Sequence, residues 1–184
     1  MDFRVPFLHA ARLRTRLDEH RPAMFRVAFS WCHDRALAED LVHDALVKAL
    51  SQAATLRDPA KLKSWLFVIL GNCFRDHLRR LRPHEDIDEL DDEALCGGSR
   101  PDVAHEQAAI VARVRRAIEA LPLGQRQAVT LVDLEGFAYA EVAGILDVPV
   151  GTVLSRLSRG RQALRALLLE ETPAGATGAL RSVK

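Results

Sequence analysis

Apolar residues recur along most of the chain at intervals of three and four residues, which is the spacing that places them on one face of a helix. The helices predicted ahead of the last pair cover about residues 1–20, 21–31, 35–53, 65–81, 101–121 and 125–133. Aromatic residues make up only 5% of the chain, while Leu, Ala and Arg are abundant, which favours helices over strands. We therefore predict an all-α protein.

The last pair of helices flanks a short turn, Asp147-Val148-Pro149, within residues 135–168. Each helix has an apolar face at helical spacing, formed by Val142, Ala143 and Leu146 in the first and by Val150, Val153, Leu157 and Leu164 in the second. Two helices joined in this way are typical of a helix-turn-helix. In that motif the outer face of the second helix is free to enter the major groove of DNA.

The outer face of this second helix carries hydroxyl and guanidinium groups. The predicted DNA-binding residues are Thr152, Ser155, Arg156, Arg159 and Arg161, with Arg165 beside them. Hydroxyl groups can approach base edges or phosphates, and guanidinium groups can bind phosphate or guanine through two hydrogen bonds. A solvated basic face is the common alternative. The Pro-containing turn and the lack of acidic residues in this helix before Glu170 favour DNA binding.

The helix predicted over residues 35–53 has an acidic outer face. That face consists of Glu39, Asp40, His43, Asp44 and Val47. Two interpretations are equally compatible with the periodicity: a docking surface for a basic partner, or an ordinary solvated face.

The helix predicted over residues 65–81 has a basic outer face instead. That face consists of Asn72, Arg75, Asp76, Arg79 and Arg80. A basic stripe can bind phosphate, and the Asn and Asp beside it can form hydrogen bonds with exposed bases. We predict a second nucleic-acid surface here.

The net charge of +1 is unevenly distributed along the chain. Residues 1–82 carry 15 Lys and Arg against nine Asp and Glu, residues 83–107 carry one against nine, and residues 108–184 carry ten against seven. Two basic segments on either side of an acidic one suit a protein that binds a polyanion. Mutual repulsion of the carboxylates predicts an extended, flexible linker over 83–107. We predict two small helical domains, 1–82 and 108–171, and a disordered tail, 172–184.

The sequence gives little support to an enzyme or a metal protein. Glu39, Asp40, His43 and Asp44 resemble metal-binding carboxylates and histidine on a helix, but the partner helix lacks a matching Glu-x-x-His. Zinc binding by Cys32, His33, Cys73 and His77 is less favoured than a packed Cys and a hydrogen-bonded His. We predict no catalytic residue, no metal and no cofactor.

The location predicted from the sequence is the cytoplasm. Cys32, Cys73 and Cys96 form no CxxC pair, which indicates reduced thiols. The N-terminus lacks a signal-peptide pattern, and no apolar run reaches membrane-spanning length.

Four stretches in a fixed order resemble one protein family. They read DRALAEDLVHDAL (34–46), LKSWLFVILGNCFRDHLRR (62–80), LPLGQRQAV (121–129) and ILDVPVGTVLSRL (145–157). Together they resemble the extracytoplasmic-function (ECF) sigma factors of bacterial RNA polymerase, and the resemblance covers about residues 20–168. It implies an alternative sigma factor with three partners, namely core RNA polymerase, promoter DNA and an anti-sigma factor, and with no membrane insertion of its own.

The resemblance also implies a role for each surface. The face at Glu39, Asp40, His43, Asp44 and Val47 would bind the coiled coil of the largest polymerase subunit. The loop 56–64 with Leu62, and the face at Asn72, Arg75, Asp76, Arg79 and Arg80, would bind the unpaired minus-ten element. The second helix of the helix-turn-helix would bind the minus-thirty-five element as duplex. The acidic linker would follow a basic tunnel toward the RNA exit channel.

Some residues depart from the family pattern. His43 stands where Gln is usual, Leu154 where a basic residue is common, and Ala138 where Ser usually caps a helix.

Two further interpretations are a helix-turn-helix regulator that binds operator DNA without polymerase, and a sigma mimic that sequesters an anti-sigma factor. The regulator does not explain the second basic face, and a mimic would not need the DNA-facing arginines.

Overall fold

The computed structural model describes residues 4–56, 58–81 and 106–170, and within them all regular structure is helical. The α-helices are α1 (Arg4–Cys32), α2 (Arg35–Ser51), α3 (Leu62–Leu81), α4 (Glu106–Glu119), α5 (Leu123–Val129), α6 (Tyr139–Leu146) and α7 (Val150–Glu170). The all-α prediction is confirmed. The predicted tail and nearly all of the predicted acidic linker lie outside the described residues.

Helix α1 is one continuous helix where the sequence predicted two. Its buried residues form one stripe that continues past Pro22, namely Leu17, Met24, Val27, Ala28 and Trp31. Pro22 lacks a backbone N–H, but it is exposed, so water can hydrate the carbonyl that loses its partner. Burial of the stripe outweighs that loss, and the predicted break near residue 21 is wrong.

Helices α1, α2 and α3 pack together as an N-terminal bundle. Asp34 caps α2 as predicted, because its carboxylate accepts a hydrogen bond of 3.1 Å from the backbone N–H of Leu37. Asp58 caps the short 3-10 helix Pro59–Lys61, which leads directly into α3. Helix α3 therefore begins at Leu62, three residues before Trp65, where the sequence predicted it. Its last residue, Leu81, is 62% exposed and does not face inward as predicted.

The helix predicted over 125–133 changes its geometry part-way. Helix α5 ends at Val129, and the chain continues as a π-helical turn, Thr130–Leu134. The hydroxyl of Thr130 donates to the carbonyl of Arg126 at 2.9 Å, and the N–H of Glu135 closes the wider turn on the carbonyl of Thr130. Gly136, at φ +73°, then turns the chain into α6.

Helices α6 and α7 form the predicted helix-turn-helix. Asp147 ends α6 in the left-handed conformation, at φ +58°, which a short polar side chain tolerates. Val142, Leu146, Val153 and Leu157 are buried, as predicted. Val150 was also predicted to face inward, but it is the first residue of α7 and is 42% exposed.

The part of the chain before the linker and the part after it share a hydrophobic core. We call residues 4–81 the N-terminal half and residues 106–170 the C-terminal half. Leu131, Phe137, Val142 and Ile145 of the C-terminal half belong to the same buried cluster as the residues inside the N-terminal bundle. A smaller cluster, around Val129 and Leu157, stays within the C-terminal half. The halves therefore lie in direct contact, which the sequence did not predict.

Replacement of Ala138 by Ser is expected to stabilise the protein by about 0.5–2 kcal/mol. Ala138 is the N-cap of α6, and its backbone N–H donates to the carboxylate of Glu141 at 3.0 Å. Alanine has no oxygen to accept in return from the first turn, whereas a serine hydroxyl completes the capping box. Chemical denaturation of the two proteins measures the difference. A free energy of unfolding that is unchanged or lower in Ala138→Ser would contradict this account of the helix start.

Candidate nucleic-acid interface

Helix α7 is held against the rest of the protein by one side only. Val153 and Leu157 are fully buried, and Gly160 approaches α5 so closely that an added Cβ would lie 2.9 Å from the side chain of Val129. The turn before the helix is fixed by backbone hydrogen bonds, from Val148 to the carbonyl of Ala143 and from Thr152 to the carbonyl of Pro149. These contacts leave the opposite side of α7 facing solvent.

The solvent side of α7 carries four of the five predicted residues as a contiguous stripe. Ser155 and Arg159 are exposed, and Thr152 and Arg156 are half-buried beside them. The hydroxyl of Ser155 donates to the carbonyl of Thr152 at 3.0 Å, and the Nε of Arg159 lies 3.5 Å from the carbonyl of Ser155. These interactions are local and weak, so both side chains can exchange them for contacts with DNA.

Arg161, the fifth residue, has a protein partner. Its Nε and Nη2 donate to the two oxygens of Asp133 at 3.1 and 2.5 Å. This fork of hydrogen bonds, with a smaller contribution from Tyr139, raises the pKa of Arg161. Arg161 is directed at the π-helical turn in this arrangement but is still exposed, so its DNA contact stays a prediction. Asp133 is not among the residues predicted from the sequence.

The predicted basic face of α3 is only partly free. Asn72, Arg79 and Arg80 are exposed. Arg75 is half-buried, and its Nη1 donates to the backbone carbonyl of Ile145 in α6 at 2.9 Å, while its Nη2 donates to Oδ1 of Asn72 at 2.5 Å. Burial lowers the pKa of Arg75. The C-terminal half therefore occupies one of the predicted DNA contacts.

Asp76, on the same face, lies between two cations. It accepts hydrogen bonds from Arg79 and from the ammonium of Lys48, the latter at 3.5 Å. The hydrogen bond from Arg79 is the main reason why the pKa of Asp76 is lowered. Its carboxylate is thus ionised and partly engaged, and it orients Arg79 along the helix surface.

Leu62 does not lie on this surface. It is 1% exposed and belongs to the core of the N-terminal bundle. The sequence analysis placed Leu62 in a loop, but it is the first residue of α3 and its side chain faces the bundle. The direct DNA contact predicted for Leu62 stays a prediction, and it would require this side chain to leave the core.

The acidic face of α2 is fully displayed. Glu39, Asp40, His43, Asp44 and Val47 are all exposed, and Val47 is 52% exposed. Glu39 forms an ion pair of 3.0 Å with Arg35 on the same helix. An exposed apolar residue among carboxylates is a combination that a partner can bury on docking.

The described residues offer no cluster of three or more His, Cys, Asp or Glu that could hold a metal ion. Cys73 is buried and burial raises the pKa of its thiol. His33 accepts a hydrogen bond from Arg126 through Nε2, so that nitrogen is already engaged.

Within the residues that the structure describes, no helix combines the length and apolar character needed to span a membrane.

Comparison with known proteins assigns the two halves. Residues 17–84 match the family described as Sigma-70 region 2, and residues 112–164 match Sigma-70, region 4. The ECF RNA polymerase sigma factor EcfG of Rhodopseudomonas palustris is 38% identical over 146 residues, which cover 78% of this chain and 77% of that protein. The chain belongs to the ECF RNA polymerase sigma factors.

Another relative and two solved structures agree with this assignment. The sigma-E factor of Escherichia coli K12 is 34% identical over 134 residues, covering 68% of this chain and 70% of that protein. The sigma factor RpoE of Bartonella quintana, solved in complex with the anti-sigma factor NepR, superimposes with a TM-score of 0.67 at 31% identity. That superposition covers 87% of this ECF sigma factor and 98% of RpoE. CnrH, solved in complex with the cytosolic domain of CnrY, gives a TM-score of 0.59 at 26% identity, covering 89% of each chain.

The matched regions contain the surfaces described above. The faces of α2 and α3 lie in region 2 of this ECF sigma factor, and the stripe on α7 lies in region 4.

Proposed function

We propose that this ECF sigma factor recruits core RNA polymerase through α2 and reads two promoter elements through α3 and α7. The observation that supports this most directly is the division of α7 into a buried side and a solvent side that carries Thr152, Ser155, Arg156 and Arg159. A helix anchored in this way can place its outer side chains in the major groove of the minus-thirty-five element.

The minus-ten contacts in this proposal are Asn72, Arg75, Asp76, Arg79 and Arg80. Exposed guanidinium groups bind the backbone of the unpaired strand, and the amide of Asn72 forms hydrogen bonds with bases. The polymerase contacts are Glu39, Asp40, His43, Asp44 and Val47, where four polar groups surround an apolar residue that docking would bury.

The domain organisation is part of the proposal. Residues 1–82 form the polymerase and minus-ten domain, and residues 108–171 form the minus-thirty-five domain. The acidic residues 83–107 connect them, and residues 172–184 form a tail. Tethering supplies affinity that neither domain has alone, because the second binding event becomes intramolecular once the first has occurred.

We further propose control by an anti-sigma factor. The structurally similar sigma factor RpoE was solved with such a partner, the anti-sigma factor NepR. CnrH, a second structurally similar protein, was solved with the cytosolic domain of CnrY. The protein would act in the cytoplasm with RNA polymerase and would have no catalytic activity of its own.

Run-off transcription with purified core enzyme and a promoter library tests this function. Arg159→Ala is expected to weaken binding of the minus-thirty-five element by about 1–3 kcal/mol and to leave core affinity unchanged, because it removes a single guanidinium contact.

Asp40→Ala is expected to lower core affinity by about tenfold or more and to leave duplex binding unchanged, because it removes a carboxylate that docking buries.

Matched controls are available on α1. Arg14 and Asp18 are exposed there, far along the chain from both surfaces, so Arg14→Ala and Asp18→Ala should behave as the unmodified protein. The surface assignment fails if Asp40→Ala binds core enzyme as tightly as Asp18→Ala. The proposed function fails if the unmodified protein neither binds core enzyme nor supports promoter-specific transcription.

A further inference from the structure

Two apolar side chains lie exposed at the beginning of α7. Val150 is 42% exposed and Leu154 is 44% exposed, and neither belongs to either of the two hydrophobic clusters. They are four residues apart, so they lie on the same side of the helix, with their Cα atoms about 6 Å apart along its axis. A single exposed leucine is ordinary on a protein surface. The position of this pair on α7 therefore matters more than its exposure.

Leu154 adjoins the proposed contact stripe of α7. Ser155 follows it directly, Ser158 lies one turn further along the helix, and both are exposed. Val153, the residue before it, is fully buried and fixes the rotation of the helix, so Leu154 cannot turn inward without removing Val153 from the core. The residues near the N-terminal end of a recognition helix are the ones that reach base edges. In the proposed function, Leu154 therefore enters the major groove together with Ser155.

A leucine side chain in a major groove has one base feature to recognise. Guanine, cytosine and adenine are distinguished there by their hydrogen-bonding groups, whereas thymine also displays a 5-methyl group. Leu154 offers only apolar contact, because its side chain has no hydrogen-bonding group and no charge for a phosphate. Opposite a polar base edge it would displace water without replacing the lost hydrogen bonds, which costs free energy. Thymine is the base that fits this side chain.

A protein partner fits the same surface less well. Exposed apolar patches that mark protein interfaces usually exceed about 300–600 Å². The exposed parts of Val150 and Leu154 cover much less than that area. Leu154 also continues a surface whose other members, such as Ser155 and Arg159, are polar and exposed. The area and the neighbours both favour contact with a base over contact with a protein.

We propose that Leu154 packs against the 5-methyl group of a thymine in the minus-thirty-five element and makes thymine the preferred base at that position. The inference rests on the proposed function and deepens it, because it concerns how α7 reads that element. Leucine stands here where the family commonly has a basic residue. A charge that can bind phosphate whatever the sequence is thus exchanged for a contact that depends on the base.

Removal of the thymine methyl group tests the proposal without a change to the protein. The promoter selected by run-off transcription is synthesised with deoxyuridine in place of each thymine of the minus-thirty-five element, one at a time and on either strand. Uracil keeps the hydrogen-bonding atoms of thymine and lacks only the methyl group. Holoenzyme assembled from the full-length chain is then titrated with each duplex. One replacement is expected to weaken binding about threefold to fivefold, because a methyl group is no longer removed from water.

Leu154→Ala completes the comparison, with Leu169→Ala as its matched control. Leu154→Ala is expected to bind the thymine promoter at least about threefold more weakly and to lose less than about 1.5-fold more on replacement by uracil, since the methyl group has lost its contact. Leu169 is 64% exposed near the other end of the same helix. Leu169→Ala removes the same side-chain atoms there and should keep the full uracil effect. Alanine favours a helix at both positions, so both variants should fold.

Leu154→Lys provides a second variant with a different readout. It is expected to lose the uracil effect as well, and to steepen the dependence of the logarithm of the binding constant on the logarithm of the salt concentration by about one, because its ammonium group neutralises one more phosphate. An unchanged salt dependence would place position 154 away from DNA and overturn the proposal.

Three other results would also overturn it. They are a selected element without any A·T pair, a promoter on which no uracil replacement weakens binding, and a Leu154→Ala holoenzyme that keeps the full uracil effect. If that variant instead lost affinity for core enzyme, Leu154 would be a polymerase contact. A holoenzyme that binds no promoter specifically would overturn the proposed function, whereas specific binding without a uracil effect would overturn this inference alone.

Discussion

Arg126→Met is expected to lower the free energy of unfolding by about 3–5 kcal/mol, because a buried charge that satisfies several carbonyls is lost. Its Nη1 donates to Ser30 and Trp31 of α1, and its Nη2 donates to the carbonyls of Glu119 and Leu121, at 3.0 and 2.8 Å. One guanidinium thus completes the C-terminal ends of two helices. Methionine fills much of the volume but donates no hydrogen bond.

Urea denaturation followed by circular dichroism measures this loss. Arg159→Met is the matched control, because Arg159 is exposed on α7, and its free energy of unfolding should change by less than about 0.5 kcal/mol. Arg126→Lys should recover only part of the loss, since an ammonium group cannot reproduce the planar fork. A loss below about 1 kcal/mol in Arg126→Met would show that the carbonyls find other donors.

Acidification from pH 7 to pH 4 is expected to lower the free energy of unfolding by about 2–3 kcal/mol through His33 alone. The side chain of His33 is 6% exposed, and its Nε2 accepts from Arg126. Burial, and then the positive charge of Arg126, lower the pKa of His33 from 6.5 to about 4. The folded protein therefore binds this proton more weakly than the unfolded chain. The contribution of neutral His33 to the free energy of unfolding is complete above pH 6.5 and is lost as the pH falls through 4.

His33→Asn isolates this contribution from that of the carboxylates. His33 adopts φ +54°, and asparagine tolerates that left-handed conformation better than most residues. The difference in unfolding free energy between the two proteins should shrink between pH 6.5 and pH 4. At pH 4 the folded protein is only about half protonated at His33, which is why the expected loss stays below the full shift. If the unfolding free energies of the unmodified protein and of His33→Asn changed in parallel with pH, His33 would not titrate in this range.

Arg126 and His33 lie where the end of α1 meets the C-terminal half, so both changes weaken the contact between the halves as well as the fold. Protection of the Trp31 indole N–H against hydrogen exchange would report their effect on docking separately, because that N–H donates directly to Thr130 across the contact.

The residues of the α2 and α7 faces could be predicted because their environment is local. Helical periodicity places Asp40 and Asp44, or Ser155 and Arg159, on the side opposite the buried residues of the same helix, and the structure keeps them exposed. Leu62 shows the limit of that reasoning. The sequence predicts the start of α3 three residues too late, and a side chain predicted to lie in a loop is packed in the core.

The protein partners of Arg161 and Arg75 could not be predicted from periodicity. Both lie on the outer faces of their helices, but Arg161 pairs with Asp133, 28 residues away, and Arg75 donates to Ile145, 70 residues away. The π-helical turn that presents Asp133 has no signature in the apolar pattern. Such partners depend on how elements pack, which a pattern within one helix does not contain.

The sequence by itself determined the all-helical character, the helix-turn-helix and the family, because each depends on short-range spacing of apolar, charged and turn residues. Only the tertiary structure decided that Trp31 would meet Thr130, that Arg126 would complete the end of α1, and that α6 would lie on Gly71. These contacts join residues separated by about half the chain, and they require both halves to bury apolar surface on each other. Nothing in the local pattern of either half specifies that shared surface.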